Sequence, residues 1–92
     1  MNAYIRELRR KELLAHFNER FADDLKNARE RCSYVHVSED MKEGARGKLT
    51  ATVTLTWAVG EEVRHSRALY EYRLQSASVP REGWYCYHDW RD

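Results

Sequence analysis

Two periods divide the chain. Over residues 2–31, Leu14, Phe17, Phe21, Leu25, Ala28 and Cys32 recur at steps of three and four and fall on one stripe. The stretch has no Gly or Pro and is rich in Ala, Leu, Glu, Arg and Lys, the residues a helix accommodates at least cost. Asn2 suits the N-cap, where its side-chain oxygen can accept from a free backbone N–H. The pattern therefore predicts one long helix. Ile5 and Leu8 lie well over a quarter turn off its stripe. Either the helix kinks near residues 9–11, or this first segment packs against something else, and an off-stripe apolar pair is a candidate partner contact.

From residue 33 the period changes to two. Tyr34, Val35 and Val37 mark a short strand over 33–38, followed by a polar loop over 39–47 with two glycines. The clearest alternation covers 48–59. There Leu49, Ala51, Val53, Leu55, Trp57 and Val59 interleave with Lys48, Thr50, Thr52, Thr54 and Thr56. That strand has one buried and one open face. Gly60, Glu61 and Glu62 form a tight turn, and 63–74 returns as a long hairpin with Ala68, Tyr70, Tyr72 and Leu74 facing inward. The loop over 75–83 holds the single proline, Pro80. The last strand, 84–90, is aromatic, with Trp84, Cys86, His88 and Trp90 expected on one side and Tyr85, Tyr87 and Asp89 on the other. Short connections favour antiparallel neighbours. The expected fold is α+β: a single domain over 1–92, with an N-terminal helix laid across one face of a four-stranded antiparallel meander.

Composition narrows the function. The chain has 92 residues, 16 Lys and Arg against 15 Asp and Glu, and a formal net charge of +1. Such balance argues against a polybasic nucleic-acid coat and against an acidic mimic of DNA. No apolar run approaches a membrane span, and the charged N-terminus lacks the apolar core of a secretory signal. The expected compartment is the cytoplasm. There Cys32 and Cys86 stay reduced, as two small buried hydrophobes.

No catalytic set stands out, and the chain is expected not to be an enzyme. His16, His36, His65 and His88 are scattered, and no paired Cys or His spacing marks a metal site. Residues 44–48 lack the spacing of a phosphate loop. Neither metal nor cofactor is expected. Three features suit surface binding instead. The threonine row, flanked by His65, Arg67, Glu71 and Arg73, makes a flat polar platform. Arg6, Arg9 and Arg10 share a side of the helix, interrupted by Glu7 and Glu12. Trp84, Tyr85, Tyr87 and Trp90 crowd the C-terminus, and aromatics on both faces of one strand leave some exposed. The candidate partner-binding residues are Arg6, Arg9, Arg10, Arg67, Arg73, Tyr85 and Tyr87.

In format the chain resembles the very small proteins of phages and other mobile elements, anti-CRISPR proteins among them. The likeness lies in the short chain, one helix with an antiparallel sheet, the lack of a catalytic set, and the many Arg and Tyr. It rests on no shared motif and carries over no individual residue. The resemblance implies a stoichiometric inhibitor, acting in the host cytoplasm, that binds a CRISPR–Cas surveillance ribonucleoprotein. Such an inhibitor touches Cas subunits and guide RNA and blocks target DNA. The near-neutral charge departs from the acidic DNA-mimic members. The alternative is a small cytoplasmic nucleic-acid-binding domain using the polar sheet face and the helix arginines, without RNP-type aromatics or a Gly-x-x-Gly clamp.

Overall fold

The computed structural model describes residues 1–91. Two helices, α1 (Ala3–Arg20) and α2 (Ala22–Arg31), precede four strands: β1 (Tyr34–Glu43), β2 (Leu49–Val59), β3 (Glu62–Arg73) and β4 (Gly83–Trp90). The strands form one antiparallel sheet in the order β1-β2-β3-β4, so the α+β meander is as the periodicity predicts. The helices cover one face, and the molecule is a slab of 45 × 27 × 19 Å.

The predicted long helix is interrupted, but not where expected. Asn2 caps α1 by accepting from the Ile5 N–H at 2.8 Å, and the helix runs unbroken through residues 9–11. The break falls at Phe21, whose backbone (φ −107°, ψ 25°) leaves the helical region. Phe17 and Phe21 stack across this break with ring centroids 4.4 Å apart, and α2 begins at the next residue. In α2, Asp23 and Asp24 occupy the first turn and Arg29 and Arg31 the last, each sign at the end the helix dipole favours.

The sheet-facing stripe of α1 also differs from the predicted one. Leu13, Phe17 and Phe21 are fully buried, while Leu14 only packs at the margin. Continued toward the N-terminus at helical spacing, that stripe passes through Arg10 and Arg6. Ile5 and Leu8 are off the stripe because arginines occupy it. The core joins these helix residues and Leu25 to the inner face of the sheet, where Val53, Leu55, Ala68 and Tyr70 have no exposure. Ser66 lies on the same inner face and is buried too, which the alternation over 63–74 implied but the apolar reading passed over.

Three strand boundaries shift. β1 extends to Glu43, taking in residues 39–43 that read as loop. Their polar side chains are poor strand formers, but β2 is eleven residues long and offers Leu49, Thr50 and Ala51 as pairing partners for Glu43, Lys42 and Met41. Met41 is buried as a result. At the β2–β3 turn only Gly60 and Glu61 lie between the strands, and Gly60 takes φ 62° at the position where a tight hairpin needs a positive φ. Leu74, expected to face inward, lies beyond the end of β3 and is 69% exposed.

The largest correction is in β4. Trp84 pairs with Tyr72 and Cys86 with Tyr70, but His88 pairs with Leu69, leaving Tyr87 as an extra residue in a β-bulge. The bulge reverses the alternation. Trp84, Cys86 and Asp89 share rows with inward-facing β3 residues, whereas Tyr85, His88 and Trp90 share rows with outward-facing ones. Asp89 thereby reaches Arg20 of α1 at 3.1 Å. Cys32 and Cys86 are both free thiols, half-buried. Among the described residues no helix is long and apolar enough to cross a membrane.

Candidate binding face

The helices leave the other face of the sheet open, and register fixes what it displays. Ser38 of β1, Thr54 of β2, Arg67 of β3 and Trp90 of β4 form one row across all four strands. The next row reads Asp40, Thr52, Leu69 and His88, and the one beyond it Lys42, Thr50, Glu71 and Tyr85. On the other side of the Arg67 row, His36, Thr56 and His65 align, with a 3.0 Å hydrogen bond between Thr56 Oγ1 and His65 Nδ1. The threonine row and its basic neighbours thus lie side by side as alternation predicts. Around Arg67 the surface dips into a shallow depression of about 400 Å³, lined by Ser38, Asp40, Thr52, Thr54, Leu69 and Trp90 among others.

The candidate arginines divide between the two sides of the sheet and do not make one site. Arg6, Arg9 and Arg10 lie on the helix-covered side. Arg6 Nη2 donates to the Met41 carbonyl at 3.4 Å. The Arg9 guanidinium stands 4.4 Å from the centre of the Tyr72 ring and pairs with Glu12. Its backbone carbonyl accepts from Trp84 Nε1 at 2.9 Å. Arg10 bonds Glu7 and reaches Glu39 of β1 at 3.6 Å. The Arg10 hydrogen bond holds the Glu7 carboxyl below its usual range. These guanidinium heads tie the N-terminal part of α1 to the sheet and to its own carboxylates.

On the open side, Arg73 is engaged as well. It pairs with Glu71 and lies 5.0 Å from the Tyr85 ring centre, while Lys48 reaches the same carboxylate at 3.9 Å. The Tyr85 hydroxyl donates to the Arg81 carbonyl at 2.8 Å. Tyr87, on the bulge, is 52% exposed. Arg67 differs from all of these: it is exposed, and among the described residues it has no hydrogen-bond or ion-pair partner.

Several residues of this face, among them Asp40, Leu69, His88 and Trp90, were not among the sequence candidates. Asp40 falls in a segment that reads as a loop, and alternation puts His88 and Trp90 on the side of Trp84, from which the bulge separates them. Trp90 is half-exposed, with His88 edge-on at 4.4 Å between ring centres. Among the described residues no three His, Cys, Asp or Glu side chains gather in a way that could hold a metal ion. Burial raises the pKa of the Tyr70 hydroxyl, which lies 3.3 Å from His16 Nδ1 beneath the helix and away from this face.

What fold and face define together is an α+β protein with a helix-covered antiparallel sheet and a free polar-aromatic platform. Compared with protein-family models, with curated proteins and with solved structures, the chain matches none.

Proposed function

We propose that this chain is a non-enzymatic binding protein that docks a macromolecular partner on the open face of its sheet. The observation that carries the reading is the row Ser38, Thr54, Arg67 and Trp90. It sets a guanidinium with no partner among the described residues between hydroxyls and a half-exposed indole, on adjacent strands. Arg and Trp are the residues most often found at the energetic centre of protein interfaces. An arginine without an internal partner has its planar fork free for a carboxylate or a carbonyl pair.

The charge of the face favours a protein surface over a nucleic-acid backbone. Lys42, Lys48, Arg67 and Arg73 are interleaved with Asp40 and Glu71, and both Arg73 and Lys48 are drawn to Glu71. A phosphate-tracking groove needs cations without interleaved carboxylates. The finer reading follows the likeness in format to anti-CRISPR proteins: the partner is a Cas subunit of a surveillance ribonucleoprotein, and the bound protein blocks access of target DNA. Stoichiometric titration against a surveillance complex tests it. Target binding should fall linearly and stop at a fixed small ratio of inhibitor to complex. Arg67→Glu with Trp90→Ala should abolish the effect while leaving the melting curve intact.

The second reading, a nucleic-acid-binding domain, draws on the exposed aromatics Tyr34 and Trp90, on which bases can stack. A salt-dependent shift of plain RNA or DNA in the absence of any protein would favour it.

A further inference from the structure

A meander leaves two edges, and they are unlike. The β4 edge carries the bulge at Tyr87, which breaks its ladder and twists it away from a new strand. The β1 edge is ten residues long, with no bulge and no proline. Such an edge offers a row of backbone N–H and C=O groups to a new strand, of which the Met41 carbonyl already accepts from Arg6. We propose that β1 pairs antiparallel with β1 of a second copy, in a register centred on Ser38, joining two four-stranded sheets into one.

Self-complementarity selects both partner and register. When Ser38 stands opposite its own copy, His36 faces Asp40 of the second copy and Tyr34 faces Lys42. By symmetry each of these pairs occurs twice. Tyr34, His36, Ser38, Asp40 and Lys42 are all exposed on the open face and available for these contacts. On the covered side Val35 meets Met41, and Val37 meets Glu39, whose carboxylate already has Arg10 of its own chain at 3.6 Å.

Neighbouring registers that keep the faces matched are worse. Centred on Glu39, that carboxylate opposes itself. Centred on Val37, Glu39 faces Val35, and Asp40 faces Tyr34 and loses the imidazole N–H of His36 as a donor. Opposite charges across a strand pair stabilise it, and like charges destabilise it. The existing Lys42–Asp40 contact, 3.8 Å apart on an exposed surface, holds little energy and yields readily to the new pairs. Arg6 donates to the Met41 carbonyl at 3.4 Å, so it must release that carbonyl for the Val35–Met41 pair to form, while the pairs nearest Ser38 do not involve it. The pairing would set the open faces of two copies edge to edge, doubling the platform.

The decisive experiment is disulfide trapping in a Cys32→Ser, Cys86→Ser background. Directly opposed residues of an antiparallel pair have Cα atoms roughly 4.5–5.5 Å apart, within disulfide reach. Ser38→Cys should give a covalent dimer under mild oxidation. His36→Cys and Asp40→Cys should not, because each lies about 13 Å from its own copy in this register. Circular dichroism confirms that each variant is folded.

Sedimentation at increasing concentration supplies an independent arm. The unmodified chain should dimerise. Asp40→Lys should weaken the dimer about tenfold, the effect of losing two symmetry-related pairs. His36→Asp combined with Asp40→Lys should restore it by rebuilding the opposed charges. A folded Ser38→Cys variant that stays monomeric, equal trapping at all three positions, or no rescue by the double exchange would overturn the proposal. None of these readouts depends on the partner bound by the open face.

Discussion

The two sides of this sheet use the same residue type for opposite ends. On the covered side, Arg6, Arg9 and Arg10 are engaged by Met41, Tyr72, Glu12, Glu7 and Glu39. On the open side Arg67 stands among threonines with no internal partner among the described residues. An arginine beside carboxylates and an aromatic ring stabilises its own fold. One placed on a flat polar face is available to another molecule. The count of arginines in the sequence does not separate the two roles; the neighbours do.

The strongest way to break the comparison is to collapse the covered side. Phe21→Ala should cost about 3–5 kcal/mol, because the ring is fully buried and stacked on Phe17. Urea denaturation reads this directly, and an unchanged midpoint would show that the helices do not hold the sheet as described. Next comes the contrast between the arginines. Arg67→Glu should lower partner affinity by about 2–4 kcal/mol, as expected for an interface centre, with the melting temperature unchanged.

Arg9→Gln should do the reverse. It removes the cation over Tyr72 and lowers stability by about 1 kcal/mol, with partner affinity unchanged in a calorimetric titration. Should Arg9 govern binding and Arg67 stability, the assignment of the two sides is wrong.

Deleting Tyr87 sharpens the picture of β4. The deletion removes the bulge residue but keeps the pairing of His88 with Leu69 and of Trp90 with Arg67. Partner binding through Trp90 should survive, whereas inserting a residue after His88 should turn Trp90 to the covered side and abolish it.

The smallest effect concerns alkaline pH. The Tyr70 hydroxyl ionises at 10.0 in an open chain and higher when folded, because burial disfavours the anion. The unfolded state therefore loses its proton first. The stability that Tyr70 contributes is full below pH 10 and is lost as the pH rises through the folded value. Tyr70→Phe should flatten the alkaline limb of a stability–pH curve, and an unaltered limb would remove Tyr70 as its source.

Much of the architecture was legible because it depends on local periodicity. The alternation from Leu49 to Val59 announced a strand with two unlike faces, and Gly60 announced the turn that reverses it. The row of Thr50, Thr52, Thr54 and Thr56 beside His65, Arg67 and Glu71 followed from the same pattern, so the core of the candidate face could be read in advance. The helix arginines were legible as a cluster, but not as residues facing the sheet. Arg6 and Arg10 continue the line of Leu13 and Phe17, a line that the apolar stripe beginning at Leu14 does not trace.

What the sequence determined by itself was the order of elements and the sidedness of β2 and most of β3, since both arise from repeats of two or three to four residues along a single segment. Tertiary structure decided the rest. Residues 39–43 became strand because β2 supplied partners along their whole length, against their own propensity. The helix broke at Phe21, whose backbone leaves the helical region and whose ring stacks on Phe17. Tyr87 was squeezed into a bulge, which placed Asp89 against Arg20 and turned His88 and Trp90 to the open face. The strand pairing of 39–43 and the bulge at Tyr87 depend on residues distant in the chain meeting in space, and local alternation carries no record of such meetings.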